Sequence, residues 1–261
     1  MHLSGLVVYP VKSCAGIAVQ RWPLDDRGLL WDRSFMVVDA ATGLAVTQRE
    51  SPRLALVRPE FRGDRLVLQT GSGRVEVAGS GDLAEASVWE HTGPVADCGD
   101  GPAEMLSEHL CRNVRLVGLA PDHARTADQS YAGRGVAVGF SDGFPLLLVG
   151  EASLEALNDR LALPLPMNRF RPNIVVSGAT AFAEDGWRRV VIGDVPIDIV
   201  KPCTRCSITT VDQATGRRAG SEPLRALGTF RRADRGVLFG QNAVHRGGGA
   251  LVVGSPVAVH A

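Results

Sequence analysis

Two cysteines close together mark the most chemically distinctive segment of the chain, Lys201-Pro202-Cys203-Thr204-Arg205-Cys206. A thioredoxin-like redox pair needs its cysteines at the start of a helix, but residues 207–211 are rich in β-formers and predict a strand. A structural zinc site needs four ligands, whereas the other cysteines are singly spaced and no histidine lies nearby. A third interpretation is one exposed thiolate that ligates a cofactor metal, with Arg205 favouring the anionic sulfur. Two buried cysteines on a strand are the ordinary alternative, and spacing alone does not decide.

Two further segments combine basic side chains with hydroxyl or amide groups beside a predicted strand. In residues 9–16, Lys12 and Ser13 could bind a phosphate through charge and hydroxyl. Residues 168–173 place two arginines among asparagines, and arginine forks suit phosphates and the polar edges of heterocycles. Taken alone, each is equally consistent with an ordinary surface segment. Weaker groups are the charged residues at 32–33 and 48–50, and the amide pair after a glycine at 239–242, which indicates a bulge or a close backbone approach to a ligand.

Composition restricts the classes of function. The 261 residues carry 28 basic and 28 acidic side chains, so the formal net charge is zero. A neutral chain argues against nucleic acid or an anionic membrane as the main partner, because both select a basic surplus. No stretch is apolar enough to span a bilayer, and no secretion signal is recognisable. With an odd count of five cysteines, these features predict a cytoplasmic protein.

The elements that position these segments are mostly short strands. Alternating or β-branched runs predict strands that include residues 3–9, 34–39, 44–47, 65–69, 74–78, 146–149, 173–177, 195–200 and 238–245. Helices are predicted at 101–112 behind a capping Asp100, at 151–161, and at 222–227 behind a capping Ser221. Few helices among many strands indicate a barrel-like, mostly β architecture. The polar stretch 121–135 is the best candidate for a domain junction or a mobile loop, and we place a boundary near residue 118.

Six stretches taken together resemble the MOSC superfamily, in particular the group with a MOSC N-terminal β-barrel domain. That group includes the mitochondrial amidoxime-reducing component and bacterial reductases of N-hydroxylated bases. The matching stretches occur in the family's order and are residues 9–16 (YPVKSCAG), 32–38 (DRSFMVV), 168–178 (NRFRPNIVVSG), 192–195 (IGDV), 201–216 (KPCTRCSITTVDQATG) and 239–242 (FGQN). The resemblance implies an α+β, mostly β fold, in which a MOSC-type β-barrel domain (119–261) packs against a smaller N-terminal β-barrel-like domain (1–118).

The resemblance also implies a site for a molybdopterin-type molybdenum cofactor held between the two domains. Cys206 would be the protein ligand of the metal, and Asp142 would sit beside the metal on its open side and relay protons. The remaining implied contacts bind the cofactor's phosphate or pterin: Lys12, Ser13, Arg33 and Arg171, helped by Asn173, Thr204 and Arg205. Gly143 and Phe144 stand where some relatives carry hydroxyl residues, so those contacts are not expected here.

The function implied by the resemblance is reduction of a small N-hydroxylated compound by oxygen-atom transfer at molybdenum. No plant-type iron–sulfur cysteine spacing is present, so electrons are expected from an external flavin- or ferredoxin-type protein. One alternative is a sulfur carrier that holds a persulfide on Cys206, and another is a non-catalytic cofactor-binding protein. The joint presence of Lys12, Arg33 and Arg171 favours the reductase, because a sulfur carrier need not retain a cradle for the pterin.

Overall fold

The computed structural model describes residues 1–78, 81–120, 123, 125–234 and 236–260, and it confirms a mostly β chain. Pro121, Asp122 and Ala124 of the predicted junction lie outside the described residues. Among the described residues, α-helices span Asp100–Leu110, Gln129–Ala132, Glu151–Asn158 and Leu224–Phe230. In the same part of the chain, 3-10 helices span Pro52–Leu56, Met167–Arg169, Ala183–Gly186 and Ser207–Thr210. None of the described helices is both long enough and apolar enough to cross a membrane.

A nine-stranded mixed sheet organises the C-terminal half and recruits the first strand of the chain. Leu146–Gly150 and Ile174–Ser177 pair in parallel, and the connection between them contains helix Glu151–Asn158, as a parallel crossover requires. His2–Val8 then adds antiparallel to Ile174–Ser177, with Leu6 opposite Ile174. The strand order is Ile17–Ala18, His2–Val8, Ile174–Ser177, Leu146–Gly150, Gly236–His245, Val195–Arg205, Arg189–Ile192 and Val257–His260, and Arg232–Ala233 pairs with Gly236–His245.

Smaller antiparallel sheets form the rest of the structure. One is four-stranded, in the order Phe35–Asp39, Val114–Leu119, His91–Asp97 and Leu83–Val88. Two are three-stranded: Arg58–Arg62, Arg65–Thr70 and Gly73–Glu76 form one, and Ala250–Val252, Arg21–Asp25 and Gly28–Leu29 form the other. Two-stranded ladders join Arg125–Thr126 to Ala137–Val138 and Val211–Asp212 to Arg217–Arg218. Helix Asp100–Leu110 packs between the four-stranded sheet and the sheet that contains Arg65–Thr70.

Two large buried clusters provide separate cores. The cluster under the nine-stranded sheet includes Leu3, Leu6, Leu148, Ile174 and Ile197. The second cluster lies around helix Asp100–Leu110 and includes Val37, Leu54, Leu68, Leu106 and Leu116. Because Leu3 and Leu6 belong to the first cluster, the N-terminal strand is part of the C-terminal core. Residues 9–16 directly follow this first strand and therefore lie beside the large sheet.

Most predicted elements are confirmed, and the exceptions have local causes. The strand predicted from residue 207 begins only at Val211. Residues 207–210 form a 3-10 helix instead, because the Thr209 and Thr210 hydroxyls donate to the carbonyls of Cys206 and Ser207 at 2.9 and 2.7 Å. Residues 44–47 make only isolated bridges to their neighbours.

Both predicted helix caps are wrong. Gly99 occupies the capping position of the first helix, and the Asp100 carboxylate accepts a hydrogen bond from Arg115 instead. The last helix begins at Leu224, so Ser221 stands too early to cap it. The Glu222 carboxylate accepts the Ala226 N–H at 3.0 Å in its place.

Truncating the core of the large sheet should destabilise the protein. Leu148 is fully buried in strand Leu146–Gly150. We expect Leu148→Ala to lower the free energy of unfolding by about 2–5 kcal/mol, because it leaves a cavity in a packed core. Leu163, which is 77% exposed, is the matched control, and Leu163→Ala should change stability by less than about 0.5 kcal/mol. Urea unfolding of both variants checks this, and equal losses would contradict the assignment of the core.

Candidate functional site

A cavity of about 810 Å³, counted to its opening to solvent, lies between residues of the N-terminal half and the strands that carry Cys206. Only about 140 Å³ of this space has room for water-sized groups, so most of the volume is open to solvent. Five cationic side chains line the cavity against one carboxylate, so its field attracts an anion. The cations are Lys12, Arg33, Arg49, Arg171 and Arg205, and the carboxylate is Asp142. Ser13, Asn173, Thr204 and Cys206 also line it, so every residue of the predicted site reaches one cavity.

Three of the predicted binding residues hold an unusual backbone conformation. Ser13, Arg33 and Arg171 have φ of 66°, 47° and 55°, in the left-handed region that residues other than glycine rarely adopt. Surrounding hydrogen bonds impose this geometry: the Arg33 N–H donates to the Tyr9 carbonyl at 2.7 Å, and Gln48 Nε2 donates to the Ser13 carbonyl at 2.6 Å. Strained backbone persists where the surroundings over-determine it, which is a common property of ligand sites.

A buried tyrosine helps to accommodate two of the arginines. The guanidinium carbons of Arg33 and Arg171 lie 4.5 and 4.3 Å from the centroid of the Tyr9 ring. The aromatic face attracts each cation and partly replaces the water that burial removes. Arg171 Nη1 also donates to the Cys14 carbonyl at 2.5 Å. Burial lowers the pKa of Arg171 to about 10, so it remains a cation at neutral pH.

A buried carboxylate that sequence reasoning did not assign to the site anchors Arg33. Asp32 accepts hydrogen bonds from the Tyr9 N–H at 2.8 Å and from Asn173 Nδ2 at 3.0 Å, and its second oxygen pairs with Arg33. Arg33 Nη1 also donates to Asn173 Oδ1 at 2.9 Å. Asn173 therefore joins Asp32 to Arg33 and fixes the direction of the guanidinium group. Such a fully partnered polar network holds its members in one arrangement.

The two cysteines of the 201–206 segment have different arginine partners. Arg205 Nη1 donates to Cys203 Sγ at 3.0 Å, whereas Arg49 Nη2 donates to Cys206 Sγ at 3.2 Å. Arg205, which was predicted to favour the anionic Cys206 sulfur, therefore gives its hydrogen bond to Cys203 instead. Residues 203 and 205 belong to strand Val195–Arg205, where side chains two apart share a face. Cys206 follows the strand at the start of the 3-10 helix Ser207–Thr210 and is half-buried.

Arg49 and Trp89 are functional candidates that sequence reasoning did not assign to the site. The Arg49 guanidinium lies 4.4 Å from the centroid of the Trp89 ring, and Trp89 Nε1 donates to Asp142 at 3.2 Å. Arg49 stands in the charged triplet 48–50, whose local spacing carries no metal or phosphate motif. Only the fold brings it to a sulfur 157 positions later in the chain.

Lys12 and Asp142 form an ion pair at the cavity. Lys12 Nζ lies 2.5 Å from Asp142 Oδ1 and also donates to the Phe140 carbonyl at 2.8 Å. The Asp142 side chain keeps 60% of its surface open to solvent through the cavity. Burial by itself would raise the pKa of Asp142, but the charge and hydrogen bond of Lys12 outweigh it and lower that pKa. The carboxylate is thus anionic at neutral pH, which opposes the predicted role of Asp142 as a proton relay.

The remaining singled-out segments divide between the cavity and the scaffold. Asn242 lines the cavity, but Gln241 donates to Asp185 at 2.7 Å, away from it. Gly240, with φ of 75°, approaches strand Leu146–Gly150 rather than a ligand, because an added Cβ would lie 2.8 Å from the Leu148 carbonyl oxygen. Arg169 is buried against the Thr209 carbonyl at 3.3 Å and is a structural arginine. Lys201 lies over the Tyr131 ring at 4.1 Å.

The donor set of the cavity fits an anionic, polar organic group with one soft metal ligand. Ser141 and Arg205 line the cavity, and each has a buried side-chain atom, Oγ and Nε, without a hydrogen-bond partner among the described residues. Buried polar atoms of this kind are normally satisfied, so they fit a ligand with hydrogen-bonding atoms of its own. Within the described ranges, no group of three or more histidine, cysteine or acidic side chains could hold a metal ion. A metal here would rely on Cys206 and on ligands that come with the organic group.

Comparison with known proteins accounts for nearly the whole chain. Residues 1–113 match the model of the MOSC N-terminal beta barrel domain, and residues 136–258 match the model of the MOSC domain. The mitochondrial amidoxime-reducing component 1 of Mus musculus is 34% identical over 97% of this chain and 80% of that protein. Its Homo sapiens counterpart is also 34% identical, over 97% of this chain and 81% of that protein. The molybdenum cofactor sulfurase of Anopheles gambiae is 32% identical over 87% of this chain but only 32% of that protein.

The ion pair at the cavity should be visible in the titration of Asp142. We expect the Asp142 carboxyl to titrate below the ordinary aspartate pKa of about 3.9, as followed by NMR of the side-chain carbonyl carbon. Because its folded pKa is depressed, the pair stabilises the fold above about pH 4, and this stabilisation is lost as the pH falls through the lowered pKa. Lys12→Met should raise the Asp142 pKa. Lys201→Met removes the only other lysine and should leave it unchanged; the same shift in both variants would refute the pairing.

Proposed function

We propose that this chain, which belongs to the family of MOSC domain proteins with a MOSC N-terminal β-barrel domain, is an oxidoreductase. It would depend on the molybdenum cofactor and act on small N-hydroxylated compounds. The observation that carries the proposal is one cavity whose lining includes both five cations and Cys206, with Arg49 in contact with the Cys206 sulfur. A binding site for an anionic heterocycle and a thiolate for a soft metal occur together there. The relatives named as amidoxime-reducing components support the same substrate class.

The proposed division of labour follows from charge and position. Lys12, Arg33 and Arg171 would neutralise the phosphate and fix the pterin, and their buried partners already hold them in place. Such preorganisation lowers the cost of binding, because the side chains need not be ordered when the ligand arrives. Ser13, Asn173, Thr204 and Arg205 would add hydrogen bonds from the cavity wall. Cys206 would provide the protein sulfur to the metal.

The overall reaction takes two electrons and two protons and converts an N–OH group into N–H and water. When bound, the molybdenum cofactor supplies the two-electron chemistry that breaks the N–O bond. The chain would hold the cofactor, admit the substrate at the open side beside Asp142, and orient the Cys206 sulfur through Arg49. In place of a proton relay, we assign Asp142 the role of holding Lys12, since its lowered pKa keeps it charged.

The domain limits are proposed as 1–118 and 119–261, with the first strand exchanged into the C-terminal sheet. The electrons are proposed to come from a separate flavin- or ferredoxin-type protein, and the compartment is proposed to be the cytoplasm.

A second candidate function is sulfur transfer, in which Cys206 carries a persulfide. The observation that favours it is the similarity to proteins named molybdenum cofactor sulfurase, although the chain spans only about a third of their length. The two functions differ in what the purified protein holds. A reductase should contain molybdenum and pterin in equal amounts, whereas a sulfur carrier should show an added sulfur atom on Cys206 by mass spectrometry.

Substitution of the two cysteines tests the reductase directly. Protein made in a host that synthesises the cofactor should bind molybdenum, and Cys206→Ala should lose the bound metal and all reductase activity. Cys203→Ala is the matched control and should keep most of both, because its sulfur is turned to Arg205. The measurements are metal analysis and reduction of a simple amidoxime such as benzamidoxime with a chemical electron donor. Equal loss in both variants would refute the assignment of Cys206.

A further inference from the structure

Four arginines lie on neighbouring segments, and one of them contacts Cys206. We call Arg49, Arg53, Arg217 and Arg218 the arginine patch. Arg53, Arg217 and Arg218 are exposed and Arg49 is half-buried. Within the part of the chain that the structure describes, none of the four forms a salt bridge with a carboxylate. Elsewhere on the surface, many exposed arginines do, as Arg65 does with Glu76 and Arg189 with Asp198. The patch therefore presents charge that the folded chain does not neutralise.

Direct contacts tie the patch together and to the cavity. Arg218 Nη2 donates to the backbone carbonyl of Arg49, whose own guanidinium donates to the Cys206 sulfur at 3.2 Å. Strand Arg217–Arg218 pairs with Val211–Asp212, which directly follows the 3-10 helix that begins after Cys206. A Cβ added to Gly216 would lie 3.3 Å from the Arg53 Cα, so Arg53 adjoins the same strand.

The acidic groups beside the patch do not cancel it. Glu50 is exposed next to Arg49, and one of its oxygens accepts the Thr47 N–H at 2.7 Å. One carboxylate oxygen of Asp212 accepts hydrogen bonds within its own turn, from the N–H groups of Ala214 and Thr215 at 3.0 and 2.8 Å. Its other oxygen lies 3.7 Å from the buried Arg169. A third carboxylate, Asp142, interacts with Arg49, whose charge helps to lower the Asp142 pKa. The four arginines still outnumber these three carboxylates, so the surface keeps a positive excess on a chain whose formal net charge is zero.

We propose that the arginine patch is the docking surface for an acidic electron-transfer protein of the flavin or ferredoxin type, which delivers electrons at the Cys206 end of the cavity. This inference rests on the proposed reductase function. Per turnover the donor is oxidised by two electrons in total and the N–O bond of the substrate is broken. Of the two protons taken from solvent, one completes water with the leaving hydroxide and one is added to the nitrogen. Complementary charge speeds the encounter of such proteins and fixes their orientation.

A polyanion is the other ligand that unpaired arginines could attract, but position favours a redox partner. One member of the patch, Arg49, contacts the Cys206 sulfur, and electron transfer becomes steeply slower with distance. Binding of nucleic acid does not require a nearby sulfur or cofactor. The neutral chain also lacks the broad surplus of basic residues that nucleic-acid binding favours.

Charge reversal tests the docking surface. The probe is a flavodoxin, an acidic protein that carries one FMN, and its binding is measured by titration calorimetry at low salt with and without the cofactor. We expect the double variant Arg53→Glu/Arg217→Glu to bind the probe about tenfold more weakly, and this difference should vanish near 0.5 M salt because screening removes it. Arg188→Glu is the control: it reverses the same charge at an exposed position beside strand Arg189–Ile192.

Turnover separates the docking proposal from the proposed function. The loaded double variant should reduce benzamidoxime about tenfold more slowly with reduced flavodoxin but at an unchanged rate with reduced methyl viologen, a small cation that needs no patch. If the loaded wild-type protein does not turn over with methyl viologen, the proposed reductase function is refuted. The calorimetry would still test whether the arginine patch binds flavodoxin. The patch proposal is overturned if the wild-type protein does not bind flavodoxin, if the double variant binds it normally, or if Arg188→Glu is equally weakened. Tighter, patch-dependent binding of a DNA oligonucleotide would overturn it in favour of a polyanion.

Discussion

Gathering like charges in one partly enclosed space is the constraint on which this structure depends. Arg33 and Arg171 both contact the ring of the buried Tyr9, and Lys12 is buried beside Asp142. Burial of an unpaired charge is expensive, so each cation needs a specific compensation. The compensation differs in each case: a carboxylate with an amide for Arg33, an aromatic face with a carbonyl for Arg171, and an ion pair for Lys12. The outcome is a cavity that is positive and ordered before any ligand binds.

The path of the backbone is what makes these compensations possible. The first strand belongs to the sheet of the C-terminal half, and its end delivers Lys12 and Ser13 to the cavity. Strand Ile174–Ser177 lies next to it and begins just after Arg171 and Asn173. The long strand Val195–Arg205 of the same sheet ends just before Cys206. One sheet therefore positions Lys12, Ser13, Arg171, Asn173 and Cys206, while the N-terminal half contributes Arg33, Arg49 and Trp89 from outside it.

Trp89 shows how the two halves are coupled at the site. Its ring supports Arg49, which contacts Cys206, and its indole N–H holds Asp142, which pairs with Lys12. The sulfur and the lysine thus lie at two ends of one chain of contacts that passes through a single side chain. A change in the packing of the N-terminal half around Trp89 would therefore alter the surroundings of both Cys206 and Lys12. The same connection places the arginine patch within reach of the sulfur, since the carbonyl of Arg49 is bonded to Arg218.

The sequence alone determined the residue types of the site and the mostly β character of the chain. Alternation and β-branching are local properties, and they predicted strands such as His2–Val8, Arg65–Thr70 and Leu146–Gly150. The six matching stretches likewise identified Lys12, Arg33, Arg171 and Cys206, all of which reach one cavity. The segment directly after Cys206 does not form the predicted strand, because threonine side chains hydrogen-bond to backbone carbonyls that a β-sheet would otherwise use.

Only the tertiary structure decided which cation faces which sulfur. Arg205 stood next to Cys206 in sequence, yet the alternation of a strand turns it to Cys203, and Arg49 arrives from 157 positions away. The lowered pKa of Asp142 likewise arises from Lys12, 130 positions earlier. Electrostatic partners depend on distance in space and on desolvation, and neither quantity is written in the order of the residues.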